Sequence, residues 1–194
     1  MFPNFRKYFE PELADKYSYD VDKAKELLAE AGYGDGFSFT ITVPANYPQH
    51  VDTAQIIAEQ LKKIGVTAEI NQVEWNTWLD DTYGNRNFEA TLVGVDASYF
   101  AASAMLSRFN ADAKNNFINY SNSDYDAAYA AARSTADEDA QTAAYKQCEE
   151  ILADTAASVY IQDLPEFVAL NKKYTGYEFY PLYVQDIAKL KLAE

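Results

Sequence analysis

"AKELLAEAGYGDGFSFTITVP", Ala24 to Pro44, contains the junction that decides the fold. In its first half Ala24, Leu27, Leu28 and Ala31 recur at the i, i+3, i+4, i+7 spacing that lines one face of a helix, and this stripe is expected to face the core. Gly32 ends the helix, because glycine takes the left-handed conformation that closes one, and Asp35-Gly36 supplies the turn that follows. Phe37, Phe39, Ile41 and Val43 then alternate with Ser38, Thr40 and Thr42, the two-residue period of a strand with one buried face. Pro44 stops the strand, since it has no N–H to give a ladder.

Upstream, Met1 to Tyr19 is rich in proline and aromatics without a period, an irregular lead-in; Asp20 caps the helix and Asp22 sits in its first turn, where the dipole favours a carboxylate. Downstream, the loop "PANYPQH" leads to a second helix with Ala54, Ile57, Ala58, Leu61 and Ile64 as its stripe and Gly65 as its stop. "VTAEINQVEW" reads as the next strand. Strand, helix, strand with short connections is the βαβ unit, whose right-handed crossover makes the two strands parallel neighbours in one sheet. Trp75 to Tyr83 reads as a short helix on which Trp75 and Trp78, three apart, pack inward. "ATLVGV", Ala90 to Val95, is nearly all apolar, as expected of a strand covered on both faces at the centre of the sheet.

Ala101 to Phe109 is helical by pattern, and a polar connection then leads to Ser123 or Asp124 as the start of the next helix. Two helices follow, with a break at Ser134 to Asp137 and Glu138-Asp139 opening the second. "SVYIQDL" and "EFVALN" are strand-like and split by Pro165; Ile187, Lys189 and Lys191 alternate with Ala188, Leu190 and Leu192 in a last strand. The expected class is α/β, with a mixed, mostly parallel sheet and helices on both faces. At 194 residues the chain buries one substantial core rather than two.

A formal charge of −14 and a pI near 4.4 argue against nucleic acid as a partner, because phosphate tracking needs clustered Lys and Arg. The pairs Lys62-Lys63 and Lys172-Lys173 read as solvated element ends. Cys148 is the only cysteine, so neither an intrachain disulfide nor a thiolate zinc cluster can form; beside Glu149 and Glu150 it reads as structural. No apolar run approaches a membrane span, and the N-terminus lacks the charged head and apolar core of a signal peptide, which fits either a cytoplasmic protein or a piece of an exported one.

His50 is the only histidine, and nothing near it suggests a nucleophile for a triad. The acidic run "DYDVD" fails as an EF-hand, because counting from Asp20 places Lys25 at the sixth position and Ala31 at the twelfth, where Gly and Glu are needed. No glycine-rich phosphate loop occurs, so no metal and no cofactor is expected. A carboxylate pair of the glycosidase kind is defined by separation in space and leaves no mark in sequence. The 16 tyrosines and 11 phenylalanines supply rigid contact area with polar tips, suited to a ligand cleft as well as a core.

Taken together, "YSYDVDKAKELLAEAGYGDGFSFTITVP" resembles the Tyr-Asp-Pro-Glu-Lys-Ala-Lys-x-Leu-Leu-x-Glu-Ala-Gly-Tyr motif and following strand of the peptide/nickel-type (family 5) extracytoplasmic solute-binding proteins of ABC importers. "AQIIAEQLKKIGVTAEINQVEW" is similar to that family's next helix, strand and Glu-Trp step, "NYSNSDYDAAYAAAR" to its Tyr-Ser-Asn-x-x-Tyr-Asp segment, and "YKQCEEILADTAASVYIQDL" to its following helix and strand. The likeness runs in the family's order from about Tyr17 to the C-terminus.

The resemblance implies a type II periplasmic-binding-protein-like lobe, the C-terminal of two that close on a ligand. Residues 1–19 would lie near the hinge, 20–183 would form the lobe, and 184–194 would be a strand crossing to the N-terminal lobe. That lobe and a leader or lipid anchor are expected outside this chain, Met1 then beginning an excised piece. The implied partners are a peptide or other small solute, the N-terminal lobe and an ABC permease, in the periplasm or at the cell surface.

The family's contacts cluster in a Gly-Trp-x-x-Asp pattern after the central strand, where backbone groups pair with a peptide and the Asp holds its ammonium end. The matching stretch here is "GVDASY": Gly94 is kept, Val95 stands at the Trp, Asp96 follows, and Ser98 falls at the Asp, with Tyr99 beyond. Without a carboxylate at Ser98, amine anchoring passes to Asp96 or is lost. By the same placement Asn46, Tyr47 and His50, and Gln162 with Asp163, would border the cleft. The carboxyl edge of an open α/β sheet is where ligands bind, which agrees for Gly94 to Tyr99 without the family. The expected function is capture of an oligopeptide or similar solute by cleft closure, with no catalysis; an oligosaccharide on the same scaffold and an acidic hydrolase with a carboxylate pair are the alternatives.

Overall fold

The computed structural model describes residues 3–95, 101–163, 167–180 and 186–193. In the opening stretch the N-cap works as the sequence requires: the Asp20 carboxylate accepts from the Lys23 N–H at 2.9 Å, and α1 runs Val21–Glu30. Gly32 and Gly36 take positive φ, +84° and +78°, and β1 follows at Ser38–Pro44. The stripe does not face a core. Ala24 and Leu28 are half-buried, Leu27 is 51% exposed, Ala31 is exposed, and nothing on α1 is fully buried. α1 is thus set by its cap and its glycine stop rather than by burial.

The βαβ unit forms as expected. α2 is Pro48–Lys62 and β2 is Thr67–Val73, parallel to β1 in a register that runs from Ser38↔Thr67 to Pro44↔Val73. Ala54 and Ala58 of α2 pack on Ile41, Val43 and Ala68, with Ile57 and Leu61 at the margin. After β2, α3 covers Trp75–Thr77 and continues as a π-helical turn, Trp78–Gly84, with Trp78 only 2% exposed.

The sheet is ordered β2-β1-β3, so β1 is its centre and the expectation that Ala90 to Val95 lies there is corrected. β3 is only Ala90–Thr91, paired as Ile41↔Ala90 and Thr42↔Thr91. Before that pairing begins, the Glu89 carboxylate takes the Thr40 N–H at 2.7 Å, so a side chain stands where a longer strand would. Central position also changes the burial of β1. Thr42 is 7% exposed beside the buried Ile41 and Val43, so its carboxyl half is covered on both faces, while Phe37 before it is 41% exposed. The second cover comes from Trp78, whose indole N–H donates to the Thr91 hydroxyl, itself donating to the Thr42 carbonyl at 2.7 Å.

The second half is helical: α4 at Ala102–Leu106 with a 3-10 turn Ser107–Phe109, α5 at Ser123–Ser134 and α6 at Glu138–Asp154. Asn122 caps α5 and Asp137 caps α6, the break falling where the sequence puts it. Tyr125, Tyr129, Tyr145, Cys148 and Leu152 form a core with Ala102 and Leu106. Phe5 joins them, 4% exposed, so the lead-in is an anchor: it winds as 3-10 turns at Pro3–Tyr8 and Pro11–Leu13. Phe117 ties the two halves, its ring 5.0 Å from Tyr83 and 6.1 Å from Trp78.

The stretches read as strands after α6 are irregular over 158–163 and 167–171, and Val159 and Phe167 are 84% and 88% exposed. Alternation without a neighbouring strand to bond gives no ladder. Among the described residues of this part, only β4, Tyr174–Thr175, and β5, Lys191–Leu192, pair, antiparallel to each other.

Candidate functional site

The parallel register brings the carboxyl ends of β1, β2 and β3 to one edge, and the chain leaves each end carrying a candidate. After β1, the Ala45 N–H bonds the Val73 carbonyl at 2.8 Å and the Tyr47 N–H bonds Pro44 at 3.2 Å, so residues 45–47 fold over the strand tips. Pro48 then starts α2, which places His50 in the helix's first turn rather than in a loop. Tyr47 is half-buried, and its ring lies 5.3 Å from both His50 and Trp75. After β3, Gly94 comes so near that a Cβ there would lie 4.0 Å from His50 Cε1.

Trp75 is the residue whose role the spacing misstates. Trp78 does pack inward, but the winding changes from α to π at Trp78, and Trp75 is half-buried, stacked on Trp78 at 5.3 Å and 6°. Its other neighbour is Tyr47, met edge-on at 75°. The signal that could have found it is the Glu-Trp step directly after a parallel strand, since that position is the sheet's carboxyl edge.

His50 is 9% exposed, and burial lowers its pKa below 6.5, so the ring is neutral at neutral pH. Burial is the cause of that shift, and among the described residues no carboxylate adds to it. What the rim can do is cover an apolar or aromatic group and offer a phenol and an imidazole at its border. No side chain caps α2; Pro48 has no N–H, the His50 and Val51 N–H groups donate to the Tyr47 carbonyl at 2.9 and 3.3 Å, and the positive end of the helix dipole lies here.

The remaining candidates divide. Asn46 is exposed in the turn after β1, and Val95 is 45% exposed just past Gly94. Asp96, Ser98 and Tyr99 lie outside the described residues. Gln162 and Asp163 are exposed in an irregular stretch, and no hydrogen bond or ring contact among the described residues brings them to Tyr47, His50 or Gly94. Among the described residues no three His, Cys, Asp or Glu side chains converge as a metal site, and no helix is long and apolar enough to cross a membrane.

Comparison with known proteins gives these placements a context. The sequence model of bacterial extracellular solute-binding proteins, family 5 (middle), matches residues 1–117. The oligopeptide-binding protein AppA of Bacillus subtilis is 28% identical over 180 residues, which cover 86% of this chain and 33% of that protein. The glutathione-binding protein GsiB of Salmonella typhimurium is 30% identical over 174 residues, 85% of this chain and 34% of that one. Among solved structures, the periplasmic binding protein DppA from Helicobacter pylori in complex with the peptide STSA matches with a TM-score of 0.71 and 25% identity, covering 92% of this chain and 35% of that chain. The chain spans about a third of the length of the curated relatives it matches. Those relatives are solute-binding proteins and not enzymes, which removes the hydrolase alternative. With more than half of its residues matched by the family model and a type II binding-protein architecture, the chain belongs to the bacterial extracellular solute-binding proteins of family 5.

Proposed function

We propose that this chain is one wall of a two-lobed solute trap of an ABC import system, closing on an oligopeptide or similar small solute at the rim of Tyr47, His50, Trp75 and Gly94. The observation that carries the reading is the convergence of these four residues, from three separate segments, at the carboxyl edge of the parallel sheet. Two further facts support it. Relatives carry the names oligopeptide-binding and glutathione-binding protein, and this chain spans about a third of their length, leaving room for an opposing lobe.

In such a trap binding energy comes from burying the solute between both walls as a hinge closes. This wall supplies aromatic cover from Tyr47 and Trp75, the exposed backbone at Gly94 and Val95, and the start of α2, whose positive dipole end favours a terminal carboxylate of a peptide. Asn46, the Asp96, Ser98 and Tyr99 stretch, and Gln162 with Asp163 are assigned to the border of the same cleft. The solute is delivered to a permease outside the cytoplasm, and any membrane attachment is by a lipid anchor beyond this chain.

Calorimetry with trialanine and with the tetrapeptide STSA tests the proposal. The 194-residue chain alone should bind weaker than about 1 μM, and the same chain joined to its opposing lobe should bind at least tenfold tighter. In the joined protein Trp75→Ala and Tyr47→Ala should each weaken binding by about 10- to 100-fold, the worth of an aromatic anchor. Micromolar or tighter binding by the single wall, or unchanged binding in both variants, refutes it.

A further inference from the structure

The rim joins three segments whose side-chain charges are all of one sign. Residues 44–53, 73–85 and 90–95, which carry Tyr47, His50, Trp75 and Gly94, contain Asp52, Glu74, Asp80 and Asp81 and neither lysine nor arginine. His50 is neutral at neutral pH because burial lowers its pKa, so it adds no opposing charge. Among the described residues of the rim the positive feature is the dipole end of α2. The whole chain carries −14, and such a field draws cations towards it.

Glu74 is the carboxylate that the backbone sets beside the rings. Along β2, Ala68 and Ile70 pack with α2, while Asn71 and Val73 line the opposite face of the sheet. The alternation continues through Gln72 to Glu74, whose backbone is still extended at φ −63° and ψ 151°, so Glu74 falls on the face that carries α2, directly before Trp75. It is exposed, caps no helix N–H, and makes no hydrogen bond or ion pair with a described residue. Asp81, by contrast, accepts from the Asn87 amide at 3.1 Å. Tyr47 and Trp75 are half-buried, so part of each ring stays open, and the negative face of such a ring attracts an ammonium or guanidinium group.

We propose that the rim selects peptides with a lysine or arginine side chain, Glu74 receiving the cationic group beside Tyr47 and Trp75 while the start of α2 takes the carboxyl end. Glu74 is then a specificity-determining residue, a role that rests on the rim being a peptide wall. An exposed carboxylate alone holds a cation weakly, since water competes for both partners. Closure of an opposing wall removes that water and strengthens the pair, and the rings add attraction from their faces. A neutral side chain at the same place gains neither, and an acidic one is repelled by Glu74.

Calorimetry on the chain joined to its opposing lobe tests this with four tripeptides that have alanine at both ends and lysine, arginine, glutamate or norleucine in the middle. Norleucine keeps the lysine stem and lacks the charge. The lysine and arginine peptides should bind about 3- to 30-fold tighter than the norleucine peptide, the worth of a cation held by aromatic faces and a partly desolvated carboxylate, and the glutamate peptide should bind weakest. Glu74→Gln should bring the ratio of lysine to norleucine affinities below about 2. Glu30→Gln, which removes an equal charge from the end of α1, on the amino-terminal side of β1, should keep the ratio. Circular dichroism confirms that each variant is folded. Equal affinity for the lysine and norleucine peptides, tighter binding of the glutamate peptide, a ratio that survives Glu74→Gln, or an equal loss in both variants overturns the proposal, and the peptide wall stands if Trp75→Ala still weakens all four. Binding of all four that ignores both Trp75→Ala and Tyr47→Ala refutes the wall and takes the proposal with it, as does no binding of any.

Discussion

Replacing Gly36 with alanine strikes the seam that sets the sheet's register. Gly36 has φ +78° and faces Gly65, at φ +81°, which ends the turn between α2 and β2. A Cβ on Gly36 would land inside the contact radius of the Gly65 carbonyl oxygen and 2.7 Å from its carbon. That neighbour is backbone and cannot rotate away. The Phe37 carbonyl beside it accepts the Thr67 N–H at 2.9 Å, the bond that opens the β1 and β2 ladder. Two costs therefore add: ~1–2 kcal/mol for a left-handed alanine, and ~1–3 kcal/mol for moving packed backbone apart. Gly32→Ala isolates the first cost, since Gly32 has φ +84° and nothing within 4 Å of its Cβ. Relief of unfolded-chain entropy trims both variants by a similar few tenths to ~1 kcal/mol, so it cancels in the comparison. Gly36→Ala should exceed Gly32→Ala by about 1–3 kcal/mol in urea unfolding, with m unchanged, and lower Tm by about 2–4 °C for each extra kcal/mol. The two losses agreeing within about 0.5 kcal/mol would refute the claim that the Gly36 and Gly65 contact is closed to a side chain.

Other perturbations test the helical core and the rim. Tyr125 is fully buried and its hydroxyl donates to the Leu106 carbonyl at 2.6 Å, so Tyr125→Phe strands a buried acceptor and should cost about 1–3 kcal/mol in urea titration. Burial pushes the Cys148 thiol up to about 12, so an aromatic disulfide reagent at pH 8 should label it only as fast as the native chain opens; prompt labelling would place it elsewhere. His50 is held neutral by burial, with a folded pKa below the unfolded 6.5. The unfolded state thus binds the extra proton first, and the stabilisation is complete above pH 6.5 and lost as pH falls towards the folded pKa. His50→Gln should flatten that part of the stability profile below pH 6.5, and an unchanged slope would remove His50 as its source.

Where sequence reading succeeded and where it failed has a physical pattern. Asp20 as a cap, Ser123 as a helix start, the break between Ser134 and Asp137, Gly32 and Gly65 as stops, and the β1–α2–β2 unit were legible because each depends on a side chain and its near neighbours in the chain. Leu27, Ala90 to Val95 and Val159 to Ile161 were misread for one shared reason: an apolar pattern states that a surface can be covered, not that a partner is there to cover it. The rim shows the converse. Tyr47, His50 and Gly94 were named from their likeness to a family, yet what joins them is the parallel register that aligns Pro44 with Val73 and so puts Trp75 beside Tyr47. Register is a long-range property, and a one-residue slip would send alternate side chains to the other face. The two glycines that lock this register are thus as much a part of the binding edge as the aromatic rings on it, because a shift at Gly36 propagates along β1 to the turn that carries Tyr47.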